Sequence, residues 1–306
     1  MSDDRLKIEV SHLTKRYGAV TAVRDLTFTV EPGVVTGFLG PNGAGKTTTM
    51  RMLTGLVSPT SGAATIGGRP YRRLPRPSRT VGAVLDANAF HPGHTARDHL
   101  RVYAAMGGYP DSRVAELLDL LGLAEAADRR TRGFSTGMRQ RLNLATALLG
   151  DPRVLLLDEP SNGLDPEGMR WLRSFLRQLA DEGRTVLISS HVLSEIQQLV
   201  DDVVVIRRGE LIAAGPWSRL AGPPAVLVSS PDADQLAAAL RVSRPDRDAP
   251  RVEPVEGGRL RVHGLDAPDV ADLAAAHRLR VHELVTEAPG LEQLFLHLTT
   301  DKAAAP

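Results

Sequence analysis

Short apolar strands alternating with helical patterns predict an α/β protein, followed by a smaller α+β unit. Three observations carry this expectation. VLLLD (154–158), TVLIS (185–189) and VVVI (203–206) are brief apolar runs separated by helices, as in a parallel sheet. VVTGFLG (34–40) is a fourth run of this kind and passes straight into a glycine-rich turn that opens a helix. Past AGPP (221–224), a linker signal, the pattern changes character.

Taken in order, IEVSHLTKRY and AVRDLTFTV within residues 8–30 read as two alternating strands joined by a turn at Gly18. Residues 95–150 are mostly helical. VAELLDLLGL (114–123) is apolar on one face, and STGMRQRLNLATALLG (135–150) starts at a serine cap and stops at Gly150 before Pro152. Beyond the linker come VLVSS, DADQLAAAL, a hairpin-like pair around Glu256–Gly258, PDVADLAAA, LRVHELV and LEQLFLHLTT. Together they predict a small α+β domain over 225–300. In its last helix Leu291, Leu294, Phe295 and Leu298 form a one-sided stripe that would pack that domain or a dimer contact.

Composition narrows the function. The 37 basic and 36 acidic residues leave a net charge of +1, without the basic excess of a nucleic-acid binder. Cysteine is absent, which excludes disulfides and thiolate metal sites and suits a reducing cytoplasm. The start, MSDDRLKIEV, is unlike a secretory signal, and no apolar run is long enough to cross a bilayer. Any action on a membrane is therefore expected to go through another chain. Only Lys7, Lys15, Lys46 and Lys302 are lysines, which makes Lys46 stand out.

Gly40-Pro41-Asn42-Gly43-Ala44-Gly45-Lys46-Thr47 satisfies G-x-x-x-x-G-K-[ST], with a strand before it and a helix after it. Glycines allow backbone N–H groups to face a phosphate, and the helix N-terminus adds a favourable dipole. Lys46 can reach β- and γ-phosphate oxygens, the Thr47 hydroxyl can ligate magnesium, and Thr48 continues the cradle. LLLDEP (155–160) sets Asp158 and Glu159 where a buried strand runs out, the place where ligands gather in parallel sheets. Asp158 is read as the magnesium carboxylate and Glu159 as the base for an attacking water. His191 follows a third strand at ISSH; position alone does not choose its role.

The order GPNGAGKTT, FSTGMRQRL, LLLDEPSNGLDP and SSH resembles the nucleotide-binding subunit of ATP-binding-cassette (ABC) transporters over residues 6–220. The resemblance implies a P-loop NTPase cassette, with a mixed sheet core and a helical subdomain at about 87–150. It implies ATP and Mg2+ as ligands, Tyr17 stacked on adenine, and Asp86 where the family usually has a magnesium-contacting glutamine. Ser135, Thr136 and Gly137 match the signature that covers the γ-phosphate held by another subunit. Asp165 matches the loop bridging two active sites, and His191 the switch histidine. Two copies, or a copy and a homologous cassette, would close head to tail beside a membrane-spanning permease on the cytoplasmic face of the cell membrane, with no nucleic-acid partner.

Several features depart from the common pattern or stand outside it. Thr136 replaces a glycine and Met138 a glutamine of the common LSGGQ, and Asp86 is shorter than glutamine and cannot donate. FSTGMRQRL, the acidic loop residue and LEQLFLHLT look most like the drug and antibiotic exporters of the daunorubicin- and bacitracin-resistance type. His91, His94 and His99 in FHPGHTARDH are read as surface residues near the groove for the membrane partner. The arginines at 129, 130 and 132 are read as a solvated basic turn. The rival readings are a soluble cassette ATPase of DNA repair or translation, which would carry a coiled-coil insertion or a second cassette, and a non-hydrolysing regulator.

Overall fold

Ile8–Tyr17 (β1) and Val20–Val30 (β2) form an antiparallel hairpin around Gly18, and Ser61–Ile66 (β4) pairs with the other edge of β1. The computed structural model describes residues 6–86, 90–192, 196–221, 223–243 and 249–287. The chain divides into two units, Met1–Trp217 and Ser218–Pro306.

The first unit centres on a six-stranded sheet. Val35–Leu39 (β3), Val81–Val84 (β5), Val154–Leu157 (β6), Thr185–Ser190 (β7) and Asp202–Arg207 (β8) run parallel, while Glu210–Pro216 (β9) is an antiparallel edge. The strand order is β5-β6-β7-β3-β8-β9, so the sheet is mixed. The central strands are buried on both faces, which is why they read as unbroken apolar runs. Apolar side chains of β1 and β2 and of Lys46–Leu53 (α1) pack with Phe38, Leu156, Leu187 and Val204 into one core.

The helices have identifiable starts. Pro77–Thr80 (α2) is a single turn with proline at its beginning. Ala96–Gly107 (α3) begins with a Thr95–Asp98 capping box and ends at Gly108 in the left-handed conformation. Asp111–Leu120 (α4) follows at once, and Thr136–Leu148 (α5) is capped by Ser135, whose Oγ accepts from Met138 N–H at 3.3 Å. Pro166–Asp181 (α6) is capped by Asp165, whose Oδ1 accepts from Gly168 N–H at 2.7 Å. Its strongly one-sided apolar stripe, Leu172, Phe175, Leu176 and Leu179, is buried.

One expectation fails inside this helical region. His99 is a core residue, not a surface one: it is 4% exposed, and its Nε2 lies 3.1 Å from Thr146 Oγ1 on α5. It sits on the inward stripe of α3 with Leu100, its ring 4.9 Å from those of Phe90 and Tyr103. Burial pushes its pKa down to about 4, with His94 adding to the shift.

The second unit is a β-α-β-β-α-β arrangement. Ala225–Ser229 (β10), Arg251–Val255 (β11), Arg259–His263 (β12) and Glu283–Glu287 (β13) form an antiparallel sheet in the order β11-β12-β10-β13. Ala233–Arg241 (α7) and Ala267–Ala276 (α8) cover one face, burying Leu236, Leu240 and Val270 against Val226, Val228 and Val262. The LEQLFLHL stripe lies outside the described residues.

Candidate nucleotide site

Residues 40–45 link β3 to α1. Gly45 has φ 107 and caps the helix without any side-chain acceptor, and the first turn of α1 carries no acidic residue. The N–H groups of that turn therefore face the cleft uncapped by a side chain, and the helix dipole favours an anion there. The sequence assigned the glycines to close approach of a phosphate; the structure divides that work. A Cβ at Gly45 would lie 2.6 Å from Ala22 O, and one at Gly40 would collide with Ile206 O, so both are required by the protein's own backbone. Gly43 has φ 79 and open space beside it, so its requirement is conformational.

The loop is braced from within. Ala44 N–H donates to Pro41 O at 3.1 Å, and Gly209 N–H donates to Ala44 O at 3.0 Å. Lys46 is almost wholly buried; its ammonium donates to Gly40 O at 2.6 Å and lies 3.5 Å from Glu159 Oε1. Thr47 Oγ1 donates to Asp158 Oδ2 at 2.6 Å, which joins the two magnesium candidates directly.

Ser189 is the functional residue that the sequence reading missed. Its hydroxyl donates to Asp158 Oδ1 and accepts from Glu159 N–H at 2.9 Å, so one side chain of β7 orients both acidic neighbours. The signal was available: it stands two residues before His191, on a strand beside β6. Glu159 adopts φ 51, and its Oε2 lies 2.8 Å from His191 Nδ1. Lys46, Glu159 and His191 thus form one contiguous polar set at the carboxyl ends of β3, β6 and β7.

A cavity of about 430 Å³ is lined by residues 42–48 with Tyr17, Ala22 and Glu159. This is the size range of small-molecule sites. Tyr17 is half exposed at its rim, with Lys15 Nζ 4.9 Å from the ring centroid. Asp86 is exposed two residues past β5 and does not line this cavity. Ser135, Thr136 and Gly137 start α5; Thr136 packs its methyl toward Gly163, and among the described residues a Cβ at Gly137 would meet nothing nearer than Leu164 Cδ2 at 3.8 Å. Asp165 serves α6 as its cap.

The oxygen-only pair of Thr47 and Asp158 suits a hard divalent cation. Among the described residues no group of three or more His, Cys, Asp or Glu side chains could hold a metal. Magnesium takes few protein ligands and shares substrate phosphates, so Thr47 and Asp158 are the residues that would hold it.

A phosphate loop opening a helix, with a hydroxyl–carboxylate pair and a glutamate–histidine pair beside it, defines a P-loop nucleoside triphosphatase. Residues 23–162 match the family described as ABC transporter, and residues 224–292 match a domain family of unknown function, DUF8746. The bacitracin transport ATP-binding protein BcrA of Bacillus licheniformis is 43% identical over 216 residues, 70% of this chain and 71% of its own. The Nod factor export ATP-binding protein I of Paraburkholderia xenovorans (strain LB400) is 37% identical over 310 residues, 95% of this chain and 96% of its own. A solved structure described as the ATP-binding subunit of an ABC transporter aligns with a TM-score of 0.63 at 29% identity, covering 70% of this chain and 91% of that one. The chain belongs to the ABC transporter ATP-binding proteins; it binds ATP and is an ATPase. The bacitracin relative agrees with the exporter subgroup suggested by FSTGMRQRL. No helix among the described residues is long and apolar enough to cross a membrane.

Proposed function

We propose that this chain powers export by a separate membrane permease, on the cytoplasmic face of the cell membrane. The cargo would be a drug, an antibiotic or another amphipathic compound. The observation that carries the hydrolytic part is the convergence of Lys46, Glu159 and His191 beside Thr47 and Asp158. The cargo class rests on the relative named for bacitracin transport.

In this reading Tyr17 stacks on adenine, and the N–H groups of residues 42–48 cradle the phosphates. Lys46 leaves the Gly40 carbonyl for the β/γ oxygens. Thr47 and Asp158 would hold magnesium, which when bound neutralises charge on the β- and γ-phosphate oxygens. Glu159 accepts a proton from the attacking water, and His191, already bonded to it, contacts the γ-phosphate. Ser135 and Gly137 begin a helix whose N-terminus would close over the triphosphate of a second cassette, with Asp165 bridging the two sites. Among the described residues nothing packs closely enough on position 137 to require a glycine, which supports a surface kept clear for that partner. Residues 6–220 form the cassette, with the helical subdomain at about 87–150, and 225–300 are an accessory domain.

Co-expression with a candidate membrane permease tests the pairing. The two should co-purify, and candidate cargo should stimulate phosphate release above the basal rate. A protein that hydrolyses ATP yet never associates with a membrane chain would overturn the transport reading.

A further inference from the structure

Tyr17 ends β1 beside the Gly18 turn and is 48% exposed, so packing alone does not fix its ring. One side chain does reach it. Lys15 stands two residues earlier on the same strand, a spacing that puts both side chains on one face. Its Nζ donates to Ser58 O at 2.8 Å and lies 4.9 Å from the centre of the Tyr17 ring. Among the described residues this ammonium pairs with no carboxylate. Tyr17 lines the nucleotide cavity, whereas Lys15 and Ser58 do not, so the cation meets the ring from outside that space.

The acceptor that holds Lys15 is itself held. Thr60 N–H donates to Thr14 O at 2.8 Å, and Arg16 N–H donates to Thr60 Oγ1 at 3.0 Å. Thr14 also pairs with Ser61 where β4 begins, and its Oγ1 accepts from Asp25 N–H on β2 at 3.0 Å. Residues 58–61 are thus stitched to β1 on either side of Lys15, and Ser58 O presents a fixed acceptor. A lysine left in solvent samples many rotamers, whereas one hydrogen-bonded at its tip keeps its charge in one place. A cation over an aromatic ring attracts it. A platform already fixed in this way has less freedom to lose when a ligand stacks on it.

We propose that Lys15 is a positioning residue for nucleotide binding: anchored on Ser58 O, it fixes the Tyr17 ring in the orientation that receives adenine. This rests on the reading of Tyr17 as the adenine platform and adds what sets that platform. Lys15 acts through the ring and not on the phosphates. Its contribution should therefore vanish when either the ring or the base is removed.

The test is equilibrium binding of ATP, and of inorganic tripolyphosphate, which lacks the base, to the purified full chain. Tyr17→Ala should weaken ATP binding roughly five- to a hundredfold. Lys15→Met, which keeps the apolar stem, should weaken ATP binding roughly two- to fivefold and leave tripolyphosphate binding unchanged. KM for ATP should rise by the same factor with no matching fall in kcat. Lys15→Arg should restore the affinity, and Lys15→Met added to Tyr17→Ala should cost nothing further. Equal losses for ATP and tripolyphosphate on Lys15→Met would overturn the proposal, because the charge would then act on phosphates. So would unchanged ATP binding by that variant, an additive double variant, or a loss that Lys15→Arg does not rescue. Full ATP affinity in Tyr17→Ala would remove the platform itself, and the proposal with it, a failure distinct from one seen only at Lys15.

Discussion

Replacing Glu159 with glutamine is the sharpest perturbation of the proposed chemistry. Its carboxylate has Lys46 Nζ at 3.5 Å from Oε1 and His191 Nδ1 at 2.8 Å from Oε2. An amide keeps the shape and can still accept from Lys46, but it cannot take a proton from water. General-base catalysis is worth about a hundred- to ten-thousandfold, which is roughly 3 to 5.5 kcal/mol of barrier at 1.36 kcal/mol per decade. Removing a negative charge beside the γ-phosphate also lessens repulsion, by roughly 1–4 kcal/mol for charges about 4 Å apart at the protein surface. ATP should therefore bind at least as tightly while turnover collapses, and an ATP-bound dimer should accumulate. The Glu159 main-chain bond to Ser189 is untouched, so the melting temperature should hold. The assay pairs phosphate release under single-turnover conditions with size-exclusion chromatography in ATP and magnesium. Turnover within about tenfold of the parent would refute the assignment of Glu159 as the base.

Other substitutions separate roles that a single activity assay would merge. Ser189→Ala should raise the magnesium concentration needed for half-maximal turnover about ten- to a hundredfold, as expected for a group that orients a metal carboxylate; an unchanged magnesium titration counts against it. Gly45→Ala adds a Cβ 2.6 Å from Ala22 O at φ 107, and chemical denaturation should show a loss of about 2 kcal/mol or more. Gly137→Ala, with 3.8 Å of clearance, should change stability by less than about 0.5 kcal/mol yet abolish ATP-dependent dimerisation; a normal dimer would remove the partner-facing role. His99 links pH to folding. Its pKa falls from 6.5 when unfolded to about 4 when folded, so the unfolded state binds the proton first and stability declines as pH drops through that window. Between pH 7 and 5 the loss is about 2 kcal/mol, and urea unfolding of His99→Leu should lack that share of the pH dependence.

How much of this was legible from sequence depends on how local the determining physics is. The phosphate loop is written in consecutive residues, because a strand, a tight turn and a helix start must follow one another within a few positions. Strands β3, β6, β7 and β8 announced themselves as apolar runs because both of their faces are buried. Strands β4, β5 and β9 did not. SGAATI is built of small, partly exposed residues, VGAV is only four residues long, and β9 is an edge with little buried surface. Ser189 escaped notice because serine in a strand carries no chemistry until Asp158 is beside it, 31 residues away in the chain. His99 misled because FHPGHTARDH is polar by composition, whereas helical phase turns that one histidine inward with Leu100.

The adjacency of Asp158 and Glu159 poses a geometric problem that the backbone resolves. Successive residues of a strand project to opposite faces, so two neighbouring carboxylates should not serve one triphosphate. Here β6 ends at Leu157, and Asp158 N–H still pairs with Val84 O at 2.8 Å, in register with the sheet. Glu159 then breaks to φ 51, a left-handed conformation costing on the order of 1 kcal/mol for a residue with a Cβ. That single change of hand lets Asp158 stay with Thr47 and Ser189 while Glu159 reaches Lys46 and His191. The Ser189 hydroxyl offsets the cost by accepting from the Glu159 N–H that the turn would otherwise leave without its ladder partner. Removing Ser189 should therefore disturb the base as well as the metal carboxylate, lowering the maximal rate even at saturating magnesium. A variant whose only defect is cured by more magnesium would show that the turn at Glu159 holds without it.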